Sequence, residues 1–187
     1  EVQARVRLLR QQMGVSGGID RDNTGYEALA GLASELSPLL RWRIAGGYGV
    51  RDWDDGSLAN TGRAIAEAEV EWLATPLVTV YATLRRAIED GSSGIDYLGR
   101  LDNSAKVRLD YEAMRNLVFT FGAEYRDSEY LGTDRRDRLA VGRIGVDWLL
   151  DRNWTVSLGY ERTERMSSDD DADLSRNRVW AGVRLRF

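Results

Sequence analysis

The C-terminal stretch Arg178-Val179-Trp180-Ala181-Gly182-Val183-Arg184-Leu185-Arg186-Phe187 decides the reading of this chain. Val179, Ala181, Val183, Leu185 and Phe187 alternate with Arg178, Trp180, Gly182, Arg184 and Arg186. Side chains of a β-strand point alternately to opposite faces, so one face of this segment suits an apolar medium and the other needs water or counter-charge. Transmembrane β-barrels place both demands on each strand.

The same two-faced pattern recurs upstream. Leu40, Trp42, Ile44, Gly46, Tyr48 and Val50 oppose Arg41, Arg43, Ala45, Gly47, Gly49 and Arg51. Ala64, Ala66, Ala68, Val70 and Trp72 oppose Arg63, Ile65, Glu67, Glu69 and Glu71. If these two segments form a hairpin, Arg41 faces Glu71 and Arg43 faces Glu69, giving cross-strand ion pairs. Further on, Val107, Leu109, Tyr111 and Ala113 oppose Lys106, Arg108, Asp110 and Glu112, while Phe119, Phe121, Ala123 and Tyr125 oppose Thr120, Gly122, Glu124 and Arg126. Lys106 can then face Glu124. Residues 139–150 and 25–36 read as less regular strands, and in residues 1–16 the phase of Val2, Ala4, Val6 and Leu8 breaks at Leu9 and resumes at Met13 and Val15, so that either a bulge lies there or the segment is not a strand.

Short turn signals punctuate the chain about every 38 residues: Ser37-Pro38-Leu39, Thr75-Pro76-Leu77, Met114-Arg115-Asn116 and Asp151-Arg152-Asn153. Longer polar stretches lie between them, at 17–24, 52–61, 89–96, 128–136 and 166–175. Short turns on one side and long loops on the other are the outer-membrane pattern. The expected fold is therefore all-β, an antiparallel up-and-down transmembrane barrel with about ten strands in one domain over 1–187, either closed by itself or forming part of a larger barrel. Aromatic residues give an independent check. Trp42, Trp72, Phe119, Trp148, Trp154 and Phe187 fall on the apolar phase near the short turns, as an aromatic girdle, and Tyr48, Tyr97, Tyr125 and Tyr160 lie nearer the long loops. A lipid–water boundary sorts aromatics in this way. A soluble sandwich with its apolar phase inside gives no reason for it.

Composition narrows the chemistry. The 187 residues contain 26 Lys+Arg and 30 Asp+Glu, a net charge of -4 with both signs interspersed, so the basic face of a nucleic-acid binder is missing. The sequence has no cysteine and no histidine. That removes disulfides, thiolate and imidazole metal sites, and His-dependent nucleophile pairs together. No apolar run reaches the length of a transmembrane helix. Glu1 opens the chain without Met or a signal-like segment, which reads as a processed chain or a fragment.

From about Arg100 onward the sequence resembles a family of bacterial outer-membrane proteins named putative β-barrel porin 2. The likeness is carried by Leu109-Asp110-Tyr111-Glu112-Ala113 with Arg115-Asn116-Leu117, Arg135-Arg136-Asp137, Asp151-Arg152-Asn153-Trp154 and Leu158-Gly159-Tyr160. Ser167-Ser168, Asn177 and the stretch 183–187 complete it. The resemblance implies an outer-membrane location, contact with outer-membrane lipid and lipopolysaccharide, and insertion by the barrel assembly machinery with Phe187 as the assembly signal. Family members are usually larger, and some are encoded beside exopolysaccharide export machinery, implying envelope or polysaccharide-export partners.

Candidate sites are few. The run Asp169-Asp170-Asp171 with Asp173 could bind Ca²⁺ or bridge to lipopolysaccharide through divalent ions, but a solvated loop explains it better. Asp52, Asp54 and Asp55 before Gly56 lack calcium-loop spacing, because Arg63 stands where a bidentate Glu is required. Carboxylate neighbours such as Glu67 and Glu69, or Asp110 and Glu112, sit among Arg and Lys that keep them ionised, which disfavours acid–base catalysis. Gly17-Gly18 and Gly46-Gly47 lack phosphate-loop spacing. The residues expected to line the lumen are Arg41, Arg43, Glu67, Glu69, Glu71, Lys106, Arg108, Asp110, Glu112, Glu124, Arg126, Arg143, Asp147, Glu161, Arg178, Arg184 and Arg186. They fit passive passage of ions, small solutes or an extended polysaccharide. A narrow, ion-pair-filled barrel that anchors envelope partners through its outer loops fits them too. No catalytic residue, cofactor or metal is expected.

Overall fold

The computed structural model describes residues 1–11, 15–16, 19–20, 22–54, 60–90 and 99–186. Phe187, Tyr97 and the Gly17-Gly18 pair lie outside the described residues. Ten strands form one antiparallel sheet: β1 (Val2–Gln11), β4 (Asn23–Ser37), β5 (Leu40–Trp53), β6 (Thr61–Thr75), β7 (Val78–Asp90), β8 (Gly99–Met114), β9 (Leu117–Leu131), β10 (Arg136–Leu149), β11 (Trp154–Ser167) and β12 (Leu174–Leu185). A two-residue pair, β2 (Val15–Ser16) and β3 (Ile19–Asp20), sits in the first long loop. Each strand of the large sheet pairs with the next in sequence. Among the described residues β1 and β12 do not pair with each other and form the sheet's two edges.

All four short turns occur where their signals stand. Both prolines of the chain are used there, Pro38 and Pro76, each following a hydroxyl residue. Ser37 Oγ accepts from Leu39 N at 3.2 Å and Thr75 Oγ1 accepts from Leu77 N at 3.2 Å. Asp151 Oδ1 accepts from the backbone N–H of Asn153 at 2.8 Å and Trp154 at 2.9 Å. These side chains stand in for backbone acceptors and tighten the turn. Register shifts lie beside three of these turns, between Glu35 and Ser37, Leu73 and Thr75, and Glu112 and Met114.

Two expectations fail. No bulge occurs at Leu9, because the β1–β4 register runs unbroken from Val2↔Leu32 to Gln11↔Asn23 and sets Leu9 on the polar phase opposite Gly25. The polar stretch 128–136 is mostly strand rather than loop. β9 runs on to Leu131, and the chain turns within 132–135, where Gly132 takes a φ of 83° that side-chain-bearing residues rarely adopt.

Exposure identifies the inner face. On the apolar phase Val6 is 85% exposed and Val183 64%, whereas on the opposite phase Glu27 is 8% and Glu124 7% exposed. The apolar side therefore faces out. Arg5 on β1 reaches Glu67 on β6 at 3.1 Å, although three strand spacings of about 4.8 Å separate them in the sheet. Only a sheet curled with its polar face concave brings them together. On the outside of β10 the apolar phase extends from Ala140 to Trp148, which covers roughly 20–25 Å for strands tilted about 40°. Above that band the outer phase turns charged, with Arg136, Arg138, Asp127, Glu129, Arg162 and Glu164.

One region leaves this regular plan. Pairing between β6 and β7 stops at Ala66↔Arg86, while β7 continues against β8 up to Asp90↔Gly99. The upper β7–β8 hairpin passes on the concave side of β6. Ile88 and Leu101 pack there with Ile65 and Leu131 in a buried cluster, and Leu29 of β4 packs against it. Gly49 makes room, since a Cβ there would lie 3.3 Å from Ile88 Cδ1.

Two outcomes test this architecture. Leu158→Arg, on the exposed outer phase, should cost about 2–4 kcal/mol near the bilayer midplane, while Ser157→Arg on the inner phase should cost far less; urea unfolding in lipid vesicles measures both. Arg51→Met, which strands the carboxylates that Arg51 pairs, should cost about 3–5 kcal/mol against under about 1 kcal/mol for the half-exposed Arg41→Met.

Candidate functional site

The concave face carries the charged residues singled out in the sequence, and sheet register decides which of them meet. At the short-turn end Arg41 lies opposite Glu71 and Arg43 opposite Glu69, with ion pairs of 3.6 Å and 2.7 Å, as the hairpin reading requires. Glu67, one step higher on β6, takes Arg5 of β1. Glu1, Gln3, Arg41, Arg43, Glu69 and Glu71 border an open cavity of about 520 Å³ at this end.

Across β8 to β12 a second set of charges is joined through Glu124. Its carboxylate is nearly buried and meets Lys106 at 3.5 Å, Arg126 at 2.8 Å and Arg143 at 3.3 Å. Arg143 also bonds Glu161 at 2.7 Å, and Glu161 draws in Arg176 of β12 at 3.7 Å. Arg108 pairs with Asp110 at 3.2 Å and covers the Tyr81 ring at 4.2 Å. Asp110 accepts from Thr120 Oγ1 at 3.0 Å, and Asp147 accepts from Ser157 Oγ. Glu112 stands opposite Val118 on the same face. Arg178 lies opposite Glu161 and Arg184 opposite Thr155, both on the exposed edge strand. Arg186 follows the end of β12, and its N–H bonds the Asn153 carbonyl at 2.9 Å.

The long-loop end is more enclosed. Arg51 is 1% exposed and is held on several sides. Its Nε donates to Asp90 Oδ1 at 2.7 Å, and its Nη2 donates to Glu27 Oε1 at 2.9 Å and to the Ile88 carbonyl at 3.3 Å. Arg7 shares Glu27 at 3.4 Å. Arg51 thus ties β4 and β5 to the infolded β7–β8 hairpin, directly beside the apolar cluster. Around the neighbouring rim, Asp102 accepts from Ser128 Oγ at 2.7 Å, and Asp137 accepts from Tyr130 OH at 2.8 Å and from Ser167 Oγ. Arg135, in the loop between β9 and β10, also clasps Asp137, and this hydrogen bond raises its pKa above the ordinary arginine value against a smaller opposing effect of burial.

The apolar cluster was not foreseen from sequence. Its signal is a loss of alternation: Ile65 sits in a polar phase between Arg63 and Glu67, and the doublets Arg85-Arg86 and Ala87-Ile88 put like residues side by side. On the outer face, Trp42, Trp72, Phe119, Trp148 and Trp154 stand near the short turns and Tyr26, Tyr48 and Tyr125 toward the long-loop end, whereas Tyr160, expected nearer a long loop, lies midway along β11 opposite Ile144. Trp53, Tyr81, Tyr130 and Trp180 are the exceptions and stand on the inner phase, Trp180 through its register opposite Gly159. The arrangement offers a polar, charge-balanced wall with a greasy constriction toward one end. Among the described residues no group of acidic side chains is placed to hold a metal ion.

Solved structures of OmpT, an outer membrane protein of Vibrio cholerae, share this fold. The in-vitro-folded form superposes with a TM-score of 0.58 at 15% identity, covering 88% of this chain and 56% of that one. This chain therefore spans a little over half the length of OmpT. The NanC porin aligns over 100% of this chain and 93% of its own, with a TM-score of 0.54 and 12% identity. Identities this low establish the fold alone. No curated protein matches the sequence. The family whose description reads putative beta-barrel porin 2 matches residues 1–187, well beyond the second half in which the resemblance was first visible, and the chain belongs to this family of bacterial outer-membrane β-barrels.

Proposed function

We propose that this chain forms the wall of a porin-type passage for ions and small solutes, narrowed toward its long-loop end by the infolded β7–β8 hairpin. The supporting observation is the inner face itself. Below the constriction Lys106 and Arg108 keep about half their side-chain surface exposed while paired with carboxylates, so the wall is wetted and charged without strong excess of either sign. A polar lining of this kind passes hydrated solutes and tunes their selectivity. No step of catalysis is assigned to it. Passage of an extended polysaccharide is the less favoured form of the same reading, because Ile65, Ile88 and Leu101 fill the concave side where such a chain would have to emerge. In this reading the outer-membrane assembly machinery inserts the chain, with Phe187 as its signal, and the outer aromatics border the lipid.

The apolar cluster favours a second reading, a non-conducting barrel that anchors envelope partners. Hydrophobic constrictions can stop ions by excluding water. Planar-bilayer recordings of the complete protein separate the two. Passage predicts resolvable conductance steps, and the double variant Ile88→Ser with Leu101→Ser should enlarge them roughly twofold or more. Silence from both the parent and this variant would sink passage and leave the anchoring role. Charge at the Glu124 node should set selectivity. Glu124→Gln leaves Lys106, Arg126 and Arg143 around a neutral amide, so the reversal potential in a salt gradient should move toward anion preference; an unchanged potential would remove Glu124 from the conduction path.

A further inference from the structure

The outer wall holds a group of charges that a passage does not use. Arg86, Asn103, Asp127 and Arg138 form one continuous row of cross-strand neighbours over β7 to β10, all on the outward phase. Immediately below the row lies an apolar groove of about 440 Å³, floored by Ala66, Ala68 and Ala105 and walled by Ile44, Leu84 and Tyr125. Register sets Ala68 between Ile44 and Leu84 and Ala105 between Leu84 and Tyr125, with Ala66 opposite Arg86 itself, so the depression runs on both sides of Leu84.

The charges of this row are unevenly satisfied. Asp127 is taken by Arg136, whose Nε donates to Oδ1 at 2.8 Å and whose Nη2 donates to Oδ2. Arg138 is exposed and feels Asp127 only at longer range, and Glu129 one step above acts on Arg136 in the same way. Among the described residues Arg86 bonds only neutral acceptors, the Ala64 carbonyl at 3.0 Å and Asn103 Oδ1 at 2.7 Å. It lies two strand spacings, about 10 Å, from the carboxylate in its own row. On β7 to β10 three guanidinium groups thus stand against two carboxylates, Arg162 and Glu164 of β11 being paired with each other, and the two least compensated, Arg86 and Arg138, sit three strands or about 14 Å apart.

We propose that this groove binds one molecule of lipopolysaccharide from the outer leaflet. Acyl chains lie on either side of Leu84, along Ala68 and along Ala105, while the two phosphates of the lipid A disaccharide meet Arg86 and Arg138. Guanidinium groups bind phosphate through paired, charge-assisted hydrogen bonds. Two cations set this far apart suit a lipid carrying two phosphates on a disaccharide better than a phospholipid carrying one. The charged row stands on the long-loop side of the groove, and that side faces the cell exterior in outer-membrane barrels. The Asn103 amide between the two arginines is placed for the sugar hydroxyls.

Native mass spectrometry of the complete protein, folded in detergent, tests the site with bisphosphorylated lipid A, monophosphorylated lipid A and phosphatidylglycerol as probes. Bisphosphorylated lipid A should be retained at one per chain and in preference to the other two. Arg86→Gln with Arg138→Gln should weaken retention roughly tenfold. Ala68→Phe with Ala105→Phe, which fills the groove on both sides of Leu84 and leaves the charges alone, should weaken it similarly. Far-UV circular dichroism confirms that each variant is folded. Equal retention of phosphatidylglycerol, or undiminished lipid A retention by either folded double variant, overturns the proposal. Lipid retention is scored without reference to conductance, so a silent channel would defeat the passage reading and leave this site standing.

Discussion

A charged side chain turned toward the inside of a curled sheet loses much of its water, and a neighbouring strand must supply the opposite charge. This requirement runs through the whole inner face. Arg43 meets Glu69 across β5 and β6, Glu124 gathers three cations from β8, β9 and β10, and Glu161 links β10, β11 and β12. Each exposed pair contributes little alone, on the order of 0–1 kcal/mol. Their collective effect is on register. A slip of one residue would turn both the ion pairs and the apolar set to the wrong face, so inner and outer solvents enforce the same alignment.

At the long-loop end the same requirement becomes more severe. Arg51 is fully enclosed, and a guanidinium stripped of water is tolerated only when most of its donors are used. Glu27, Asp90 and the Ile88 carbonyl supply that environment, and they come from two strands, β4 and β7, of which β7 is not adjacent to β5. The buried charge and the apolar cluster therefore support each other. Ile65, Ile88 and Leu101 exclude the water that would otherwise weaken the ion pairs, while Arg51 keeps the hairpin lying on them.

Much of this could be read from the sequence because two periods are simple: alternation along a strand and the recurrence of short turns. Those periods gave ten strands, four turns, the outward aromatics and the pairs Arg41 with Glu71 and Lys106 with Glu124. They misled where the physical contrast behind them fades. Above the apolar band both phases turn polar, so Ser128 and Glu129 look like a loop although the β9–β10 ladder continues through them. Leu9 broke an expected phase only because a leucine on the inner wall opposite Gly25 costs little. The constriction was illegible for a different reason. It joins residues on β4 to β9 through contacts between strands that do not pair, and no local pattern records such contacts.

The inner constriction and the outer cationic row share one structural origin. Arg86 is the last residue of β7 that pairs with β6, and Ile88, two positions later, is already in the constriction. Along an undisturbed strand these two residues would project to the same side of the sheet. The departure of β7 from β6 separates them, leaving the guanidinium at the top of the outer groove and carrying the isoleucine to the concave side of β6. Because β8 stays paired with β7 through this change, Asn103 and Leu101 follow their partners to the same two destinations. The geometry of the splay thus sets both how far the lumen is narrowed and where a cation stands at the edge of the apolar band.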